Sequence, residues 1–596
     1  MTNKTKMATR SKIFKRILIW RYKTISERQF VYILSVLVGF LAGFGTVILK
    51  NLTHYIQLLL SIDFLKNYKS SLYFIFPIIG LLIVAIIKKN WLKKHIGHGI
   101  STTLYAISKR KGIIPRYNMF ASLITAPLTV GFGGSVGLQG PAVSAGTALA
   151  SYTSQLFHMN TKTRMLLIGC ATAGAMSSMF KAPIAAIIFA VEIFSLDMAF
   201  ASLVPLLLAS VSAIVTSYFF FGKDVILNVR LQQSFEINEL LFYVALAIFT
   251  GLASVYFSKI YFWITNLFKK WNPFRRLFFG GLAIGLMLFL IPPLYGEGYG
   301  IINNLLDANA AEALKDMPYN INFDEVWTVI IFLLLIGVFK VIAMTTTFAA
   351  GGVGGIFIPT LVMGSVLGNV SAKIINQFGY NVSETNFTLI GMTGLMAGVL
   401  HAPLTAIFLI AEITSGYDLF VPLMLVSAVS FAITKYFVSN SIYTHELAEK
   451  GELITHNKDK NVMMMMQMDK LIETNFVSVQ PETTLGSLLK NAVAKSSRNI
   501  FPVVTEDNEF LGIVLLDDVR SVMFDQELYE STSVDTFMRI APSVIFYDDS
   551  IEKVMQKFKE SGSWNLPVIR DKKYVGFISK SKLLTAYRSK LIEVTS

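Results

Sequence analysis

Gly133 to Pro141 reads GGSVGLQGP, and Gly351 to Pro359 reads GGVGGIFIP. Gly133, Gly134, Gly137, Pro141 and Gly146 return at a constant offset of 218 as Gly351, Gly352, Gly355, Pro359 and Gly364. Further on, APIAAIIFAVEI (Ala182 to Ile193) returns at an offset of 220 as APLTAIFLIAEI (Ala402 to Ile413), with Ala, Pro, Ala, Ile, Glu and Ile in register. Two blocks at nearly one spacing predict a duplicated domain. Each copy holds apolar segments broken by Gly and Pro at corresponding places, the pattern of a binding site built at mid-membrane from interrupted helices.

The surrounding composition fits a membrane protein. The chain has 596 residues, 53% hydrophobic and only 15% charged, too apolar for a soluble enzyme of that length. Runs of helical length cover Phe30–Leu49, Leu72–Ile87, Leu203–Phe220, Leu240–Ser258, Leu277–Leu290, Val326–Met344 and Leu419–Ile433. Others are short or broken, which predicts tilted and incomplete helices. The net charge of +15 does not point to nucleic acid, because residues 1–26 hold eight Lys or Arg and no acid directly before the first apolar run. That placement predicts a cytoplasmic N-terminus. The first run lacks a small-residue cleavage site, against a signal peptide. Cys170 is the single cysteine, so no intramolecular disulfide or cysteine metal site can form.

Near residue 440 the apolar spans give way to regular charge. Within this tail IFPVVTEDNEFLGIV (Ile500 to Val514) resembles NLPVIRDKKYVGFIS (Asn565 to Ser579), each copy reading strand, polar turn, strand between helical segments. This resembles a pair of CBS modules. The VMMMMQM stretch (Val462 to Met468) reads as an adaptable apolar linker packed at the boundary.

An anion entering a bilayer must exchange its water shell for fixed donors. Exposed helix N-termini supply them: glycine lets the backbone approach closely, and unpaired N–H groups and the helix dipole favour negative charge. Both Gly-rich stretches have that form, with Pro141 and Pro359 in what would be the first helical turn. Two such termini facing each other would make a neutral, anion-selective clamp.

Across nearly its full length the chain resembles the CLC family of chloride channels and chloride/proton antiporters. In that family three Gly-rich segments and one tyrosine line the anion path. The first appears here as GHGIS (Gly97, His98, Gly99, Ile100, Ser101), the second as GLQGP (Gly137, Leu138, Gln139, Gly140, Pro141), and the third as GIFIP (Gly355, Ile356, Phe357, Ile358, Pro359). Tyr443 in SIYTHEL matches the tyrosine. The resemblance implies an all-α polytopic membrane domain with an internal inverted repeat of tilted and broken helices, then a cytoplasmic α/β CBS pair. The expected division is a basic segment 1–28, a membrane domain 29–448 with repeats at about 29–222 and 236–448, a linker 449–465, and CBS modules 466–528 and 529–590.

The departures from the family pattern carry the functional expectation. Where the family has a glutamate that plugs the outer anion site and relays protons, this chain has Gln139, whose amide has a similar shape and cannot ionise. The alternative is that Gln139 only caps its helix. Ile193 stands where exchangers carry an internal proton-transfer glutamate, one residue after Glu192. Glu192 and Glu412 are the only acids deep inside apolar runs, and their repeat symmetry favours a structural role. His98 replaces a serine that helps bind the central anion, and either donates or points away. Leu138 replaces a common basic residue, so the outer mouth should attract anions less.

In the CBS pair the adenosine-phosphate motif is split, with Asp518 opposite Leu515 in one copy and Ser579 opposite Lys582 in the other. No cofactor is expected to be required, and an adenosine nucleotide at Asp518 and Ser579 is doubtful. The expectation is a bacterial inner-membrane, proton-uncoupled chloride channel, homodimeric, with both termini cytoplasmic. Its partners are a small anion, a second copy and membrane lipid. A proton-coupled antiporter is the alternative, with a CBS-bearing cation transporter less favoured, since hard cations need oxygen ligands. No metal site and no catalytic residue set is found, so an enzyme is not expected.

Overall fold

A computed structural model describes residues 21, 23–61, 69–92, 97, 99–195, 200–222, 227, 235–315, 317, 323, 325–414, 416–449, 463 and 466–595. The basic segment 1–28 thus lies largely outside the described residues, as do His98 and most of the 449–465 linker. The chain divides near residue 450 into a helical unit and a smaller α/β unit.

Among the described residues, the α-helices of eight or more residues in the helical unit form two sets of eight. The first set is α1 (Glu27–Leu60), α2 (Lys69–Ile87), α3 (Gly99–Lys109), α4 (Asn118–Gly131), α5 (Gln139–Leu156), α6 (Thr161–Phe180), α7 (Pro183–Phe194) and α8 (Phe200–Phe221). The second is α9 (Leu240–Lys269), α10 (Pro273–Leu290), α11 (Tyr299–Leu306), α12 (Val326–Ala349), α13 (Phe357–Gln377), α14 (Glu384–Leu400), α15 (Pro403–Ile413) and α16 (Phe420–Phe437). Among the described residues, eight helices are long and apolar enough to cross a membrane. Seven coincide with the runs read from the sequence. The eighth, Phe357–Gln377, is the second copy of the Gly-rich block; its Pro359, Gly364 and Gly368 and its polar residues lower its hydropathy.

Local chemistry fixes the boundaries. Ser26 and Gln29 cap α1 reciprocally, and the Asn160 and Asn272 side chains accept N–H groups at the starts of α6 and α10. At the ends of α6 and α14, Lys181 and His401 turn left-handed (φ 57° and 54°), and an Ala-Pro pair then starts α7 and α15 with proline in the first turn. The turn is the same in both copies because the sequence is. The packing between helices relies on small residues, as membrane interfaces do: a Cβ on Gly364 of α13 would come 2.6 Å from the Gly391 carbonyl oxygen of α14.

Helices α7 and α15 have 12 and 11 residues. At about 1.5 Å per residue neither can span a core of about 30 Å alone. Each terminus is satisfied by the other copy. Glu412 of α15 accepts the Ile184 and Ala185 N–H groups at 3.0 and 2.7 Å, and Glu192 of α7 accepts those of Leu404 and Thr405 at 3.1 and 2.9 Å, plus the Thr405 hydroxyl at 2.6 Å. The two acids found in apolar runs are thus reciprocal helix caps.

In the α/β unit, β1 (Ile500–Val504) and β2 (Phe510–Leu515) form one hairpin, and β3 (Ile545–Phe546), β4 (Asn565–Arg570) and β5 (Lys573–Ser579) form a three-stranded sheet in that order. Both hairpins carry a bulge at the same place, Val503/Val504 and Val568/Ile569. The β4–β5 turn needs positive φ at Asp571 and Lys572 (51° and 66°), matching strand twist. Phe501, Val503 and Val514 pack with Leu485 and Leu488 in one core, while Leu566, Val568 and Ile578 pack with Val554 and Phe558 in another. Met466 is buried in the second core with Met463 and Met468 against it, so part of the Met-rich stretch belongs to that module.

Replacing Glu412 by Ala should lower the unfolding free energy of the detergent-solubilised protein by about 2–3 kcal/mol, because two N–H groups lose a charged acceptor. Glu412→Gln, which keeps one acceptor oxygen, should cost less. Denaturation midpoints of the two variants check the order.

Candidate functional site

The Gly-rich stretches meet through their backbones. Gly137 N–H donates to the Gly355 carbonyl at 2.9 Å, and Gly355 N–H donates back to the Gly137 carbonyl at 2.6 Å. This two-bond bridge joins the linkers that lead into α5 and α13. A Cβ on Gly355 would stand 2.7 Å from the Gly140 nitrogen, and one on Gly354 would stand 2.2 Å from Val136 Cγ2, so a side chain at either position would separate the termini. Further back the pairing repeats: Ser135 N–H reaches Thr347 Oγ1 at 3.3 Å, and Val353 N–H reaches Thr129 Oγ1 at 3.0 Å. Gly133 and Gly351 adopt matching φ values of 97° and 104°.

The first Gly-rich segment joins the same cluster. Gly99 (φ 29°) lies so close to α5 that a Cβ would come 2.4 Å from the Gly140 carbonyl oxygen. Ile100 is buried, and Gly97 and Ser101 are half-buried. The α5 and α13 starts are Gln139 and Phe357, with Leu138 and Ile356 just before them. Residues Leu138, Gln139, Gly140, Pro141, Ile356, Phe357, Ile358 and Pro359 are all buried. The first turn of each helix offers N–H groups without an intrahelical acceptor, which makes it an anion-binding element. Phe357 packs against Phe180 and Phe189, at ring distances of 5.0 and 5.9 Å.

Two polar atoms in the predicted set are buried and find no hydrogen-bond partner among the described residues: the Tyr443 hydroxyl and Gln139 Oε1. Buried polar groups are normally paired. Tyr443, 4% exposed, precedes the short helix His445–Glu449. Gln139 is fully buried, and its Nε2 donates to the Tyr299 hydroxyl at 3.0 Å.

Sequence reasoning missed three residues beside this site. Glu297, in the loop before α11, accepts the Leu138 N–H at 2.9 Å. Lys340 of α12 is fully buried and donates to Ser135 Oγ at 2.9 Å and to the Gly296 carbonyl at 3.1 Å. Tyr299 holds the Gln139 amide. The expected clamp of backbone donors alone is therefore corrected: the α5 terminus also meets the acidic side chain of Glu297. The Leu138 N–H is committed to that side chain. The signals were present in the sequence, since Lys340 is the lone charge in a 24-residue apolar helix and Glu297 sits between two glycines in LYGEGYG.

In the α/β unit the split motif does not converge. Asp518 pairs with Arg539 and accepts the Leu515 N–H at 3.3 Å. Ser579 donates to Glu473 at 2.6 Å and accepts the Lys582 N–H at 3.2 Å. Ser579, Glu473, Arg498 and Lys582 line an open cavity of about 820 Å³, and Asp518 is not among its lining residues.

A family model described as voltage gated chloride channel matches residues 79–435, and the CBS domain model matches residues 468–525 and 534–589. The voltage-gated ClC-type chloride channel ClcB of Salmonella dublin is 26% identical over 442 residues, 70% of this chain and 99% of that protein. The H(+)/Cl(-) exchange transporter ClcA of Vibrio campbellii is 28% identical over 331 residues, 53% of this chain and 66% of that protein. The crystal structure of a eukaryotic CLC transporter superimposes with a TM-score of 0.60 at 16% identity, covering 93% of this chain and 97% of that one. With its duplicated set of eight helices, its paired Gly-rich termini and a family match over more than half its length, the chain belongs to the CLC family of voltage gated chloride channels and carries a CBS domain pair.

Proposed function

We propose that this chain conducts chloride passively across a bacterial inner membrane, as a homodimer with one path per subunit and both termini in the cytoplasm. The observation that carries the reading is Gln139: its side chain is an uncharged amide, fully buried and tethered to Tyr299, and it cannot exchange a proton with water. Ile193, buried and apolar, removes the second expected proton station. Bound anions would meet N–H groups of Gln139, Gly140, Ile356, Phe357 and Ile358, with the Tyr443 hydroxyl at the central site. Cation transport is disfavoured because Glu192 and Glu412 are both spent on backbone caps. A second reading, chloride/proton exchange, is favoured by one observation, the Glu297 carboxylate on the Leu138 N–H. The CBS pair is read as structural or dimerising and in need of no nucleotide, because the Ser579 hydroxyl is taken by Glu473 and Asp518 is taken by Arg539 away from that cavity.

In liposomes holding the purified full chain, a chloride gradient should run down without moving protons against their own gradient. Uphill proton movement measured with a pH electrode refutes passive conduction. Tyr443→Phe removes a donor that no group among the described residues uses, so stability without chloride should change by less than about 1 kcal/mol, while chloride affinity by calorimetry should fall about tenfold. Unchanged affinity would assign the anion to backbone donors alone. Adenosine nucleotides should give no binding heat with the full chain in the micromolar range; measurable binding refutes the structural reading of the CBS pair.

A further inference from the structure

Glu297 is held by a loop that is tied to the α5 linker on both sides. Tyr295 donates its hydroxyl to the Gly131 carbonyl at 2.8 Å, and Gly296 N–H donates to the Gly133 carbonyl at 3.3 Å. Ser135 Oγ donates to the Leu294 carbonyl at 2.7 Å. Lys340 then gathers Ser135 Oγ and the Leu294 and Gly296 carbonyls around one ammonium, at 2.9, 3.4 and 3.1 Å. Gly296 and Gly298 on either side adopt φ values of 63° and 99°, which favour glycine. A Cβ on Gly298 would stand 2.8 Å from Val362 Cγ2. The loop and the linker form one block, and the half-buried Glu297 side chain reaches from it onto the α5 terminus.

A carboxylate on a helix N-terminal N–H is held by the same donor and the same dipole that would hold a small anion. One N–H cannot fully serve both. Gln139, the next residue along, carries no charge and is tied to Tyr299. We propose that Glu297, supplied from the loop before α11 and not from the Gly-rich segment itself, is the titratable gate of the anion path, holding the Leu138 N–H when ionised and releasing it when protonated. This rests on the reading that the α5 terminus lines the chloride path.

The direction follows from charge. An ionised carboxylate competes with chloride for the terminus, and a neutral carboxyl binds an N–H only weakly. Chloride flux therefore rises as pH falls. The titratable groups acting on Glu297 are Lys340 of α12, Lys50 of α1 and Tyr299 of α11, and the Gln139 amide hydrogen-bonds both Glu297 and Tyr299. Because the lysines remain when the carboxyl is neutral, protonation leaves the site with a net gain of positive charge, which also favours anion entry.

The test is chloride efflux from liposomes containing the full chain, measured between about pH 8 and about pH 5, the range through which protein carboxyls titrate. Wild-type efflux should increase about tenfold on acidification, as one titrating competitor allows. Glu297→Gln should conduct at the acid wild-type rate throughout; a variant that folds and keeps the wild-type pH profile overturns the proposal. Two further readouts do not depend on the folding of that variant. Wild-type efflux that is flat with pH overturns it, as does a Glu297→Asp variant, with the same charge and a shorter reach, whose efflux at high pH equals wild type. Proton flux recorded in parallel separates the two readings. Protons coupled to chloride in wild type and uncoupled in Glu297→Gln overturn passive conduction and support a titrating Glu297, whereas proton-free, pH-independent chloride flux overturns Glu297 and leaves passive conduction standing.

Discussion

Two backbone hydrogen bonds between Gly137 and Gly355 hold the centre of the membrane unit together. They are short-range and carry no side chain, yet they set where α5 and α13 begin relative to each other, and hence where two sets of unpaired N–H groups point. The constraint is steric as much as polar. Gly354, Gly355 and Gly140 approach so closely that a single added carbon would meet main-chain or side-chain atoms at 2.2–3.1 Å. The repeat of glycines in the sequence is the imprint of that contact.

Around this centre the two halves are nearly symmetric in their structural bonds and asymmetric in their charge. Thr129 and Thr347 exchange equivalent hydrogen bonds across the halves, and Glu192 and Glu412 exchange equivalent caps. Among the described residues no such symmetry holds at the helix starts: Leu138 N–H meets Glu297, and no matching bond to Ile356 N–H is found. Symmetry serves the scaffold. Departures from it mark where a charged species is handled, since a charge at depth persists only where it has a partner.

The sequence made the architecture legible because its signals were local and repeated. Glycine and proline spacing predicted the broken helices, two similar strand–turn–strand blocks in the tail predicted both hairpins, and seven apolar runs matched seven of the long helices. The helix Phe357–Gln377, whose start the Gly-rich stretch signalled, was not among the apolar runs because a buried membrane helix packed on small residues need not be strongly hydrophobic. Glu297, Tyr299 and Lys340 escaped for a different reason. They lie about 160 to 205 residues from the atoms they bond, and a charge that finds its partner at that separation leaves no spacing to read. His98 lies outside the described residues, so its role at the first Gly-rich segment rests on sequence alone.

The exchange of caps between α7 and α15 bears on how the chain is made. Chain synthesis delivers the first half before the second, and until Glu412 is made the Ile184 and Ala185 N–H groups lack the acceptor they have in the finished fold. In hydrocarbon each such group costs several kcal/mol. The first half is therefore an incomplete structure for the time it takes to insert some two hundred further residues, at about 5–20 residues per second. Although the two copies have similar sequences, each completes a helix start of the other. Slowed insertion of the later helices would prolong the interval in which that earlier helix start lacks its acceptor.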